Sequence, residues 1–175
     1  MDMISDDIGI LIPALDPDER LLTLVDNLRQ KFEAELHIVI VDDGSSSKTI
    51  FERLAARKDE RLKILQHTTN MGKGSALKTG FHYYIANFPS LKGIATLDAD
   101  GQHTVDSLSS CINLFVHHEN ELVIGARTFS KNIPPNFTPL CVCDDRLPDF
   151  RYLVCHWTRN LTLAYSLGPN LFWPR

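Results

Sequence analysis

Asp98 and Asp100 stand one residue apart, directly after the apolar run 94–97, in the segment Asp-Ala-Asp-Gly-Gln-His over 98–103. Two carboxylates this close repel each other and repel a phosphate. They make chemical sense together when a cation lies between them and a polyanion. Hard oxygen ligands select Mg2+ or Mn2+, ions that keep part of their water shell and bridge to phosphate oxygens. Asp-x-Asp alone is a weak signal, because aspartate is common in turns and caps; at the end of an apolar strand it points to a metal-bound diphosphate. A second acidic turn, Asp42-Asp43-Gly44-Ser45, follows the apolar run 36–41. Asp-Gly-Ser is ordinary turn chemistry; the functional alternative is that the carboxylates accept hydrogen bonds from the ring N–H of a base or from ribose hydroxyls. A third turn, Pro13-Ala14-Leu15-Asp16, follows the run 8–12. Asn70-Met71-Gly72-Lys73-Gly74-Ser75 offers glycines for close backbone approach and the Lys73 charge for a nucleotide. It is neither a Walker loop nor a dinucleotide fingerprint, since Leu77 occupies the third glycine position. A plain loop-to-helix junction accounts for it equally well. His103 reads either as a phosphate or metal contact or as a surface residue, and His37, His117 and His118 read as solvated.

These turns form one site only if the strands that feed them lie side by side. The run 8–12 reads as a strand, followed by a helix capped by Asp16, with Pro17 at its first position and Glu19 closing a capping box. Leu21, Leu24, Val25 and Leu28 then recur at helical spacing. Residues 36–41 read as the second strand, and Ile50, Phe51, Leu54 and Ala55 mark the next helix. A third strand spans 62–65. A helix follows Gly74, with Leu77, Phe81, Tyr84, Ile85 and Phe88 on one face. A fourth strand covers 94–97, Leu108, Cys111, Ile112 and Phe115 mark another helix, and 122–124 reads as a fifth strand. Alternation of this kind, with near-continuous apolar strands, predicts an α/β fold with a mostly parallel central sheet covered on both faces. Ligands of such sheets bind beyond the carboxyl ends of the strands, where all three acidic or proline-bearing turns should converge. After Arg127 the alternation fails. Residues 129–151 carry four prolines and no period, and 157–167 reads as a short helix stopped by Gly168-Pro169.

The chain has 175 residues, 43% of them apolar, which suffices for one domain with a core. A net charge of −4 argues against a nucleic-acid-binding face. The N-terminus is acidic and lacks the pattern of a secretory signal. No apolar run approaches the ~20 residues of a membrane helix. The expectation is a cytoplasmic protein that at most rests on the inner face of a membrane. Cys111, Cys141, Cys143 and Cys155 read as thiols in a reducing compartment, and their spacing fits no common zinc pattern.

Taken together, residues 12–19, 41–45, 70–77, 97–103 and 123–127 resemble, in order and spacing, the family 2 glycosyltransferases of GT-A fold, in the branch of polyprenyl-phosphate sugar synthases. The resemblance covers roughly the first 130 residues. It implies a nucleotide-sugar-binding core over 1–127 and, over 128–175, an irregular tail where the acceptor half is incomplete, truncated or frame-shifted. It implies that Pro13, Ala14, Asp42 and Asp43 line the base and ribose pocket, and that Lys73, Asp98 and Ala99 contact the nucleotide-sugar. It further implies that Asp98 and Asp100 are the catalytic pair and bind Mg2+ or Mn2+, with Gln102 a further ligand. The implied partners are a nucleotide-sugar donor, uridine-based by likeness, and a lipid-phosphate acceptor at a membrane surface, with inversion at the sugar carbon. Two rivals keep part of this chemistry: a donor-binding module without activity, and a nucleotidyltransferase. The second would carry a glycine-rich basic loop after its first strand, where this chain has Pro13-Ala14-Leu15.

Overall fold

The structure, a computed structural model, describes residues 8–32, 36–101, 103–117, 123–124 and 151–154. Gln102, His118, Cys141, Cys143, Cys155, the 157–167 helix and the side chain of His117 lie outside that set.

The elements are β1 (Ile8–Ala14), α1 (Glu19–Lys31), β2 (His37–Asp42), α2 (Thr49–Ala55), β3 (Leu62–Gln66), α3 (Lys73–Asn87), β4 (Gly93–Thr96), α4 (Val105–His117), β5 (Val123–Ile124) and β6 (Arg151–Val154). The strands form one sheet in the order β3-β2-β1-β4-β6-β5, and every pairing is parallel. This is the α/β architecture expected from the alternation. β1 is buried along its whole length. A strand with helices over both faces has no solvated side, which is why it is continuously apolar rather than alternating.

The two faces carry separate cores. Ile8, Ile10, Ile12, Ile38 and Ile40 point toward α1, α2 and α4 and meet Leu21, Leu24, Val25, Leu28, Phe51, Leu54, Leu108, Ile112 and Phe115. Leu11, Val39, Val41 and Ile94 point the other way and meet Ala76, Phe81 and Tyr84 of α3. α3 sits so close to β1 that Gly80 has no room for a side chain: a Cβ there would stand 2.1 Å from Leu11 Cδ1. Tyr84 is fully buried, and its hydroxyl reaches the carbonyls of Ile10 at 2.7 Å and His37 at 2.8 Å. Burial, the largest influence on that hydroxyl, pushes its ionisation further up.

Four local expectations need correction. Asp18, not Asp16, caps α1: its carboxylate accepts the N–H of Arg20 at 2.9 Å, and the helix starts at Glu19. Pro17 therefore precedes the cap and Glu19 closes no capping box. Asp16 is bent to φ 45° and is used across the sheet edge. α3 starts at Lys73, one residue before Gly74, behind Gly72 at φ 89°. His37 is half-buried, its ring centroid 4.4 Å from that of Phe88. Residues 151–154, part of the stretch without sequence period, supply β6 between β4 and β5.

Candidate active site

The chain builds β1, β2 and β3 toward one side, then returns through α3 to place β4 on the other side of β1. β1 and β4 are thus neighbours across a reversal of strand order. At such a switch point the loops beyond the carboxyl ends diverge and leave a crevice. A cleft of about 410 Å3 lies there, lined by Pro13 and Ala14 from β1, Asp43 from the turn after β2, Gly72 and Lys73 from the start of α3, and Asp98, Ala99 and Asp100 after β4. Seven of the nine sequence-predicted site residues therefore share one cavity. Asp42 is not among its lining, and Gln102 falls outside the described residues. A larger groove of about 650 Å3 lies beside it between α1 and α4, bordered by Arg20, Lys31, His103 and Asp106; no predicted site residue lines it.

Asp42 and Asp43 are adjacent, yet they do different things. Successive residues of a strand point to opposite faces. Asp42 turns inward and is fully buried. Its Oδ1 accepts the Ser45 N–H at 2.8 Å and its Oδ2 accepts Lys48 Nζ at 2.5 Å. Burial, the largest influence, pushes the Asp42 carboxyl up, but the hydrogen bonds from Lys48 and Ser45 together outweigh it and hold the group below the usual carboxylate range. With both oxygens engaged inside the protein, Asp42 shapes the turn. Asp43 faces the cleft. Its N–H is tied to the Ala14 carbonyl at 2.8 Å, which joins the ends of β1 and β2. Its Oδ1 meets His67 Nδ1 at 2.7 Å and the Met71 N–H at 3.0 Å.

The rim is laced together by Asp16. Its N–H donates to Ser45 Oγ at 2.8 Å, and its Oδ1 accepts both the N–H and the hydroxyl of Ser46 at 2.7 Å. The Ser46 hydroxyl is the main reason the exposed Asp16 carboxyl sits below its ordinary range. Gly44 makes the turn with φ 77°, and a Cβ there would stand 2.3 Å from the Thr69 carbonyl carbon. The turn after β2 is thus pressed onto the loop that precedes α3.

Lys73 Nζ lies 2.6 Å from Asp98 Oδ1. On the other side of that carboxylate, His103 Nε2 stands 3.8 Å from Oδ2; its side chain is 10% exposed, and among the described residues Nε2 has no hydrogen-bond partner. His103 is therefore no surface residue. A buried imidazole nitrogen left unpaired beside a carboxylate is the kind of gap a bound water or cation fills. Among the described residues no group of three or more His, Cys, Asp or Glu is arranged to cage a metal. An open cleft with two carboxylates still suits Mg2+ or Mn2+, which take the rest of their shell from waters and substrate phosphates rather than from an all-protein cage. Asp98 and Asp100 line the same open cleft, and their carboxylates are the kind of donors such an ion accepts.

His67 and Thr79 were not singled out in the sequence. Each acts through a partner more than ten residues away, so no local motif flags them.

The description "Glycosyl transferase family 2" matches residues 9–163. An uncharacterized protein of Methanocaldococcus jannaschii is 32% identical over 73% of this chain and 49% of its own length. The polyprenol monophosphomannose synthase of Mycolicibacterium smegmatis is 29% identical over 67% of this chain and 44% of its own. The UDP-N-acetylglucosamine–dolichyl-phosphate N-acetylglucosaminyltransferase of Methanococcus voltae is 28% identical over 73% of this chain and 56% of its own. The chain thus spans about half the length of the curated relatives it matches. The matched span covers most of the chain and includes the residues of the acidic cleft, and the chain belongs to glycosyl transferase family 2.

Proposed function

We propose that the cleft between β1 and β4 holds a nucleoside-diphosphate sugar and that the protein serves transfer of the sugar to a polyprenyl phosphate at the inner face of a membrane. The single observation that carries this is the meeting of Asp43, Lys73, Asp98 and Asp100 in one cavity of about 410 Å3. Asp43 accepts from the base, and Pro13 and Ala14 form the wall beside it. The first turn of α3 presents Lys73 and a helix N-terminus, both suited to a diphosphate. Asp98 and Asp100 hold Mg2+ or Mn2+, and Gln102 is proposed as a further ligand. Such an ion supplies Lewis-acid neutralisation of the charge that grows on a leaving diphosphate. The chain's own residues otherwise position donor and acceptor.

Two of the relatives bear the names of enzymes for polyprenol or dolichyl phosphate. A lipid phosphate is anionic near neutral pH and needs no strong general base, whereas a hydroxyl acceptor would. No described helix is long and apolar enough to cross a membrane.

The test is thermal unfolding with nucleoside diphosphates, with and without Mn2+, since a ligand of the folded form raises its apparent stability. UDP with Mn2+ should raise the midpoint, and the Asp98→Asn, Asp100→Asn double variant should lose the Mn2+-dependent part. A wild-type chain stabilised by no nucleoside diphosphate, or a double variant that responds fully, refutes the reading. The cleft by itself accounts for donor binding alone, so a donor-binding role without transfer is the second reading. Release of UDP from a UDP-sugar upon addition of polyprenyl phosphate separates the two.

A further inference from the structure

We propose that His67 is a positioning residue for Asp43: it leaves one carboxylate oxygen to face the cleft, so that the site selects a base offering a single ring N–H, uracil over guanine. The proposal rests on the donor-site reading above and extends it to the choice of base.

The geometry is a buried, directional chain of hydrogen bonds. The Asp43 side chain is 4% exposed and that of His67 9%. His67 Nδ1 lies 2.7 Å from Asp43 Oδ1, and His67 Nε2 lies 2.9 Å from Thr79 Oγ1 on α3. An ionised carboxylate only accepts. The network therefore assigns a ring proton to Nδ1, and the Thr79 hydroxyl pairs with Nε2. The Met71 N–H donates to the same Oδ1 at 3.0 Å. That N–H is held in place because the loop at 69–70 is packed against Gly44 with no space for a Cβ.

An oxygen of a carboxylate has two lone pairs available in the plane. Both on Oδ1 are taken by His67 and Met71. Among the described residues no donor stands on Oδ2, and Asp43 lines the cleft. The base thus meets one acceptor. Guanine is gripped by a carboxylate through two parallel donors, its ring N–H and its exocyclic amine, and needs both oxygens. Uracil presents one N–H and needs one. Losing His67 leaves Oδ1 held by the Met71 N–H alone and lets the carboxylate swing, which weakens the uracil contact and reduces the bias against guanine.

The test is titration calorimetry on the full chain with Mn2+, using UDP, GDP and pyrophosphate. Wild type should bind UDP at least about tenfold more tightly than GDP, roughly the worth of one charge-assisted hydrogen bond. His67→Ala should weaken UDP about tenfold, narrow the UDP-to-GDP ratio and leave pyrophosphate unchanged. His67→Asn, whose amide nitrogen stands where Nδ1 stands, should recover most of the loss. Thr79→Val, which removes only the hydrogen-bond partner of Nε2, should weaken UDP severalfold, and it provides the reading if His67→Ala fails to fold. The proposal is overturned if wild type prefers GDP, if His67→Ala or Thr79→Val leaves UDP affinity and the ratio untouched, or if His67→Asn is as damaged as His67→Ala. A wild type that binds neither nucleotide refutes the donor site itself; a wild type that binds UDP beside an unaffected His67→Ala refutes only the positioning role.

Discussion

Replacing Lys48 with methionine isolates the question of what Asp42 is for. The Asp42 carboxylate is fully buried and its Oδ2 has Lys48 as its charged partner at 2.5 Å. Removing one member of a buried ion pair typically destabilises by about 3–5 kcal/mol, because the other charge stays behind uncompensated. Lys48 is 39% exposed, so water reaches its side of the pair and the cost falls just below that range, to about 2–3 kcal/mol. With a urea slope near 2 kcal/mol/M, the unfolding midpoint should fall by roughly 1–1.5 M at pH 7. The pH dependence follows from the direction of the shift. In the wild type the folded-state carboxyl sits below its unfolded value of about 3.9, so its stabilisation is fully present above that value and fades as pH falls through the depressed one. In Lys48→Met only burial and the Ser45 bonds remain, the carboxyl moves upward, and acid relieves the strain by protonating it. The gap between the two proteins should therefore narrow steadily from pH 7 to pH 3. Lys48→Met combined with Asp42→Asn should recover much of the loss, with UDP affinity retained. A shift under 0.5 kcal/mol at pH 7, or a gap that does not change with pH, would refute this account of Asp42.

Two further substitutions test the frame of the site. Gly44→Ala forces a Cβ to 2.3 Å from the Thr69 backbone at φ 77°; it should lower stability by at least about 2 kcal/mol in thermal melts and weaken UDP binding, since the turn carrying Asp43 must move. Tyr84→Phe removes a hydroxyl that serves the carbonyls of Ile10 and His37; it should destabilise by about 1–3 kcal/mol in urea unfolding while leaving UDP affinity within error, because α3 keeps its packing.

The strands at 8–12 and 36–41 were legible because burial on both faces demands an unbroken apolar run, and few other structures tolerate one. The convergence of the acidic turns was legible for the same reason, as parallel strands have all their carboxyl ends on one side. The cap of α1 was misplaced by two residues. Asp16 and Asp18 both flank Pro17, and what separates them is the bond from Asp16 to Ser46, a contact 30 residues away. Asp42 and Asp43 could not be told apart because alternation along a strand gives a period but no phase: nothing local says which of two adjacent carboxylates faces the core. His67 stood in no motif, since its meaning comes from Asp43 and Thr79, on other elements. β6 was missed because its four residues, Arg-Tyr-Leu-Val, stand in a stretch without the strand-helix alternation that flags the others, and only the neighbouring strands identify them.

The position of β6 has a bearing on biosynthesis. β4 and β5 leave the ribosome well before residues 151–154, yet neither pairs with the other; both pair with β6. One flank of the nascent sheet therefore carries unbonded backbone N–H and C=O groups until the last described strand slides in between. During that interval β4 is a template for any passing extended segment. A folding chain of this design depends on its late residues to seal what its early residues have already built.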